Sequence, residues 1–284
     1  MSLAQALLLG ALQGLTEFVP VSSTAHLYLV QALLKIRNDE IALSFDVVLH
    51  LGTAAALIAA TWKDLRGVVR EFFLAIAGAP PRDPASRALL LPLFAGTVPG
   101  ALAGPFLLKR VESVRTLGLI GLSMLVACAY FLFAERRGGT LRAPQRGLSE
   151  LTLADALWIG LAQAAAGLFA GLSRSGFTIG TGHIRGLRRE QAARFSFLLA
   201  LPIILGAGAK ALWDLSRIPH PAMGAAVLAA GFLAAAVFGY LAVGFLLRYL
   251  KTHSLRPFAL YLGALGIVLL AVSLLGHLPL LRGV

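Results

Sequence analysis

The strongest constraint on this chain is a set of apolar runs at about 41–61, 88–107, 117–134, 191–213, 225–247 and 257–276. Each approaches the ~20 residues a helix needs to cross a bilayer core. In lipid, backbone N–H and C=O groups must pair within a helix or a closed barrel. The runs are rich in Leu, Ala and Gly and lack the alternation of barrel strands, so helices are expected. Hydrophobic residues make up 58% of the 284 and charged residues 13%, about half the ~25% typical of a soluble domain. The fold class expected is an all-α polytopic membrane protein.

Two further apolar regions are broken. Residues 3–19 can form a helix that Pro20 interrupts at PVSST, and a short apolar stretch follows from His26 to Leu34. Residues 152–184 are interrupted at GLSRSG. None of these pieces is long enough to span alone. Each region reads as a re-entrant helical hairpin, which needs protein or a water-filled cavity around its irregular backbone. The order of one hairpin and three spans therefore occurs twice. The first repeat covers 1–140 with its hairpin at 3–35, and the second covers 151–284 with its hairpin at 152–184. An offset of 150 aligns Gly10 with Gly160, Gln13 with Gln163, Ser23 with Ser173, Phe45 with Phe195 and Leu49 with Leu199. An odd number of spans inverts the second copy. Two inverted-topology repeats place a polar site near the midplane between them. Between the first two spans, WKDLRGVVREFF reads as an amphipathic interfacial helix.

The net charge of +12 does not point to nucleic acid, because the basic residues sit in the loops. Loops 62–87, 135–150, 185–194 and 248–256 carry sixteen Lys and Arg, and the opposite side carries eight. The positive-inside rule puts the richer side in the cytoplasm and both termini outside. The first hairpin then enters from outside and the second from the cytoplasm. The single Cys128 excludes an intrachain disulfide. The N-terminus has no basic leader and reads as mature structure rather than a cleaved signal.

The first hairpin carries QGLTEFVPVSSTAH. Gln13 and Glu17 are four apart and share a helical face. A carboxylate at membrane depth costs at least ~2.5–3.5 kcal/mol on insertion scales, so Glu17 needs a metal ion, an Arg or a proton. Ser22, Ser23 and Thr24 follow the break, with His26 three residues after Ser23. A hydroxyl within reach of an imidazole is the minimum kit for an activated nucleophile. The competing reading is a serine cap on the next helix with Glu17 snorkelling to the interface.

The second hairpin carries AGLSRSGFTIGTGH. Arg174 stays charged in any protein environment, and its fork suits phosphate oxygens. Gly171 and Gly176 offer close backbone approach to a ligand, and N–H groups near Ser173, Ser175 and Gly176 can form an anion nest. The competing reading is a structural Arg174 paired with Glu17. In the first full span, FDVVLHLG sets Asp46 and His50 four apart, either as functional groups or as a packing pair. His183, His220, His253 and His277 read as loop or interfacial residues, and Arg185, Arg188, Arg189, Glu190 and Arg194 as a cytoplasmic rim.

QGLTEFVPVSSTAH and GLSRSG closely resemble the two signature motifs of bacterial undecaprenyl pyrophosphate phosphatases, the bacitracin-resistance family. FDVVLHLG and FSFLLALP resemble further family segments, and the likeness covers essentially the whole chain. Gln13 stands where many members have Glu, Ala25 replaces the usual Gly, and Ala170 the usual Pro. The resemblance implies a multi-pass enzyme of the bacterial plasma (inner) membrane. It would convert a polyprenyl pyrophosphate to the monophosphate on the outer face. Glu17, Ser23, Thr24, His26, Ser173 and Arg174 would fall on catalytic or phosphate-binding positions. A divalent cation, Mg²⁺ or Ca²⁺, is expected, with Glu17 and Gln13 as its candidate ligands. Ser23 is read as the nucleophile with His26 as base, against attack by His26 itself or by water. A homodimer is a candidate assembly. A transporter of the monophosphate lipid is the alternative function; it would need Arg174 but not the Glu17, Ser23 and His26 set.

Overall fold

A computed structural model describes residues 1–36, 40–113, 116–139, 145–215 and 223–276. The described residues form helices, and no strand is present among them. They run α1 Leu3–Phe18, α2 Ser23–Leu33, α3 Glu40–Ala60, α4 Trp62–Ile76, α5 Pro84–Ala88, α6 Leu90–Ser113, α7 Leu117–Arg137, α8 Leu153–Ala166, α9 Arg174–Ile184, α10 Arg189–Leu215, α11 Ala225–Tyr249 and α12 Arg256–Leu275.

Local chemistry sets the ends that matter for the site. Ser2 and Gln5 form a capping box at the start of α1, and Thr152 and Asp155 form one at the start of α8. Each box satisfies backbone donors that a helix start leaves unpaired. Pro20 disfavours helical geometry at the residue before it, and Val19 closes α1 at φ −64°, ψ 136°. Gly171 at φ +109° makes the corresponding break before α9.

Five segments among the described residues are long and apolar enough to cross a membrane: Pro84–Gly104, Leu117–Arg137, Arg189–Lys210, Ala225–Tyr249 and Arg256–Leu275. Ser44–Ala60 and Trp62–Ile76 add a further candidate as a pair bent by 84°. Large apolar side chains lie exposed on these helices, among them Phe94, Leu102, Val237, Leu241, Leu260 and Ile267. The interior, by contrast, holds Gln13, Glu17, Ser23, Gln31, Ser173 and Ser175. Apolar surfaces this extensive need lipid around them, and polar groups of a membrane protein face the bundle interior. This is a multi-pass membrane protein.

Small residues bring the helix backbones together, as expected where no hydrophobic drive acts between helices. A side chain at Gly14 would meet Gly239 and Ala235 of α11, and one at Gly121 would meet Gly266 of α12. Gly160 of α8 lies against the backbone of Gly96 in α6. These contacts seat α1 on α11, α7 on α12 and α8 on α6, with α2 and α9 reaching inward between them.

Candidate active site

The two hairpins converge on one carboxylate. Ser23, the first residue of α2, donates its hydroxyl to Glu17 Oε2 at 2.6 Å. Arg174, the first residue of α9, donates Nη2 to Glu17 Oε1 at 2.5 Å. Gln13 Nε2 also donates to Oε2, at 3.0 Å, and His50 Nε2 stands 3.7 Å from the same oxygen. Glu17 is buried, and these groups surround its carboxylate among the described residues. The structural pairing weighed for Arg174 is therefore made, but it engages one edge of the fork only. Nη1 of Arg174 is buried and has no partner among the described residues.

Backbone strain marks both breaks. Ser22 sits at φ +70° and Ser173 at φ +53°, each immediately before its inner helix. A left-handed conformation costs a non-glycine residue about 1–3 kcal/mol and clusters at functional sites. Each strained serine points a helix start into the site, where unpaired N–H groups and the helix dipole favour an anion. Ser173 Oγ accepts from the Gly176 N–H at 3.4 Å. Ser175 Oγ reaches Val19 O at 3.5 Å, tying one break to the other.

Several expectations need correction. Ser23 and His26 do not form a dyad. The Ser23 proton goes to Glu17, while His26 Nδ1 faces the Ser22 carbonyl at 2.8 Å and Nε2 faces Tyr261 Oη at 2.6 Å. The hairpin turn sends these two side chains in different directions. Serine capping of α2 is also absent, since Ser22 at the cap position makes no side-chain bond. Gly171 and Gly176 lie against α7: a side chain at Gly176 would enter the Phe131 ring, and one at Gly171 would meet Ile120 and Ser123. Asp46 and His50 do not pair through the carboxylate. His50 Nδ1 bonds the Asp46 backbone carbonyl at 2.7 Å, which leaves Nε2 facing Glu17, and Gln31 donates to Asp46 Oδ1 at 2.7 Å. Thr24 lies beside the site, partly exposed.

His183 is not a loop or interfacial residue, and Arg189 is not a rim residue. Both are buried, and Arg189 makes a two-pronged pair with Glu135 at 2.8 and 2.6 Å, while the Leu255 N–H also donates to Glu135 at 2.9 Å. Arg185 at the neighbouring rim pairs with Asp155 at 2.7 Å. His220 and His277 lie outside the described residues. Sequence reasoning missed Tyr261 and Gln31, because a Tyr or Gln in an apolar helix carries no local signal of its partner.

The donors present fit a small oxygen-seeking cation. Glu17 supplies a carboxylate, and Gln13 Oε1 is buried beside it without a hydrogen bond. No group of three or more His, Cys, Asp or Glu is set to hold a metal among the described residues.

Residues 6–268 match the family described as bacitracin resistance protein BacA. This chain belongs to that family. Curated relatives match it over nearly their whole length. A Rubrobacter xylanophilus protein named undecaprenyl-diphosphatase is 43% identical over 277 residues, covering 97% of this chain and all of the relative. A Geotalea daltonii undecaprenyl-diphosphatase is 41% identical over 94% of this chain and 96% of its own length. One from Methanosphaera stadtmanae is 36% identical, covering 96% and 99% respectively. Within this BacA-family chain, the motifs at residues 13–26 and 171–176 form the Glu17–Arg174 junction.

Proposed function

We propose that this chain hydrolyses undecaprenyl pyrophosphate to undecaprenyl phosphate and inorganic phosphate, regenerating the lipid carrier of cell-wall synthesis. The observation that carries the reading is that one buried carboxylate, Glu17, is contacted at once by Ser23 and Arg174. Binding alone would not need a serine hydroxyl hydrogen-bonded to an ionised acid.

Phosphoryl transfer depends on positioning and on stabilising charge spread over the phosphoryl oxygens. The free Nη1 edge of Arg174 and the N–H groups at the starts of α2 and α9 hold the terminal phosphate. Ser175 and Ser173 keep the second break against the first, and Thr24 offers a further hydroxyl. Ser23 Oγ attacks the terminal phosphorus in line with the bridging oxygen. Glu17 Oε2, already 2.6 Å away, receives its proton. Protonated His26 gives its Nε2 proton to the departing lipid phosphate, exchanging its contact with Tyr261 Oη for one with the substrate. Water then attacks the phosphoserine, its proton going to His26 while Glu17 returns a proton to Ser23 Oγ, which frees inorganic phosphate. A divalent cation on Glu17 and Gln13 would neutralise pyrophosphate charge when bound. His50 adds a donor beside Glu17. The chief rival is direct attack by His26, which would leave an acid-labile phosphohistidine instead of an acid-stable phosphoserine.

The proposal includes two inverted-topology repeats, 1–140 and 151–284. In support, α1 packs on α11 while α8 packs on α6, and α7 pairs with α12. Exchange of halves maps the first two pairs onto each other and the third onto itself. The cap boxes at Ser2 and Thr152 and the left-handed residues Ser22 and Ser173 recur at offsets near 150. The lysine and arginine bias supports a plasma (inner) membrane orientation with both termini outside and the site opening outward. Every proposed site residue comes from one chain, so the reading does not depend on a homodimer.

Inverted repeats also support lipid transport without hydrolysis. Purified protein in detergent, given undecaprenyl pyrophosphate with Mg²⁺, Ca²⁺ or EDTA, separates the two. Metal-dependent phosphate release lost in Arg174→Ala and Ser23→Ala is expected. No release from folded protein, together with translocation of the monophosphate lipid in vesicles, would overturn the phosphatase.

A further inference from the structure

We propose that Tyr261 is the positioning residue for His26, its hydroxyl holding the reactive ring nitrogen at the open edge of the site. The argument starts from hydrogen-bond capacity. His26 Nδ1 lies 2.8 Å from the Ser22 carbonyl oxygen, and a carbonyl only accepts. Nδ1 therefore carries a proton in both charge states of the ring, and Nε2 is the nitrogen that gains or loses one. That nitrogen sits 2.6 Å from Tyr261 Oη. The hydroxyl can donate to the bare Nε2 and accept from its protonated form, so it holds the ring in both charge states and yields Nε2 only while the proton passes to the substrate.

The rings stack at 5.7 Å with an interplanar angle of 16°. Stacking alone would be met by phenylalanine; only the Nε2 contact needs the hydroxyl. Tyr261 comes from α12, 235 residues from His26, so the pair pins the first hairpin to a helix of the other half of the chain. Its placement also bears on the substrate. Tyr261 is 46% exposed beside lipid-facing Leu260 (64%), whereas Glu17 and Ser23 are below a tenth. An amphiphile with its tail in lipid and its pyrophosphate on Arg174 passes this edge. His26 is thereby held where the lipid-bearing phosphate departs, while Ser23 remains on Glu17.

This inference rests on the phosphatase reading for its kinetic consequence but not for its geometry. The test is Tyr261→Phe, which keeps the stacked ring. Two quantities are measured in detergent: steady-state hydrolysis of undecaprenyl pyrophosphate, and the ¹⁵N resonances of histidine-labelled protein, with His26 assigned from His26→Asn. In the wild type, His26 shows the Nδ1–H tautomer with a hydrogen-bonded Nε2. In Tyr261→Phe the Nε2 resonance moves to its unbonded position. There kcat falls about tenfold, the order that loss of one hydrogen bond allows, while KM stays within about twofold because binding is not at issue. An unchanged Nε2 resonance, or a kcat equal to that of the wild type, overturns the positioning role. If the wild type itself releases no phosphate, the phosphatase reading fails and the resonance alone decides the role of Tyr261.

Discussion

Ser23 and Arg174 contact opposite oxygens of one carboxylate, Glu17 Oε2 at 2.6 Å and Oε1 at 2.5 Å. They are the first residues of two helices from different halves of the chain. Under the proposed function, stability, ligand binding and nucleophile activation are coupled at that junction, and mutation separates them.

Arg174→Ala leaves Glu17 buried without its main counter-charge. Removing one partner of a buried pair costs about 3–5 kcal/mol. The double variant Glu17→Gln with Arg174→Ala is expected to recover most of that loss while remaining inactive. Thermal unfolding in detergent beside a phosphate-release assay reads both effects. Arg174→Lys should keep the charge yet stay poorly active, because a point charge cannot grip Glu17 and a phosphate as a fork does. Near-normal turnover by Arg174→Lys would make the arginine purely structural.

Ser23→Ala removes the proposed nucleophile and one hydrogen bond to Glu17. Turnover should fall by about 10²-fold or more, within the range that covalent and acid–base groups supply. Rapid acid quench of the wild type with ³²P-labelled substrate should trap label that survives acid. Acid-labile label retained in Ser23→Ala would move the attack to His26.

Gln13→Glu adds a second carboxylate where Oε1 now has no partner. Two acids at 3.0 Å repel without a cation and chelate with one. The Mg²⁺ concentration for half-maximal hydrolysis is expected to drop, and the metal-free protein to melt earlier. An unchanged metal response would remove position 13 from the cation site.

Gly176→Ala drives a methyl group into the Phe131 ring. Overpacking of this kind costs about 1–3 kcal/mol and would tilt α9, and Arg174 with it. Adding Phe131→Leu should restore both melting temperature and activity. Failure of that rescue would mean that Gly176 serves the ligand rather than α7.

Glu135→Gln tests the polar cluster remote from the site. Arg189 relies on Glu135, since its Nε and Nη2 both donate to that carboxylate while its Nη1 has no hydrogen-bond partner among the described residues. Loss of about 3–5 kcal/mol is expected from the uncompensated guanidinium, with the folded fraction still hydrolysing substrate at the wild-type rate. A selective loss of kcat in stable protein would bring this cluster into the mechanism.

The membrane character and the two broken apolar regions were legible in sequence because both are one-dimensional. A run of apolar residues buries its own backbone bonds, and Pro20 or Gly171 ends a helix wherever the neighbours lie. The polar groups at depth were legible for the same reason: Glu17 and Arg174 in apolar sequence require partners of some kind. Which partner each takes was decided only by tertiary structure. Ser23 and His26 are three positions apart, yet the hairpin turns one toward Glu17 and the other toward Tyr261, a contact made across 235 residues. His183 reads as loop or interfacial and Arg189 as rim because they border a run of arginines, but both are buried in the fold, Arg189 against Glu135. Helical spacing determines which side chains share a face. The opposing helix supplies the hydrogen bonds, and its approach is set by small residues such as Gly14, Gly121 and Gly160 that let backbones come close. The sequence alone thus determined that charges must meet inside this membrane protein, and the tertiary packing decided which atoms meet.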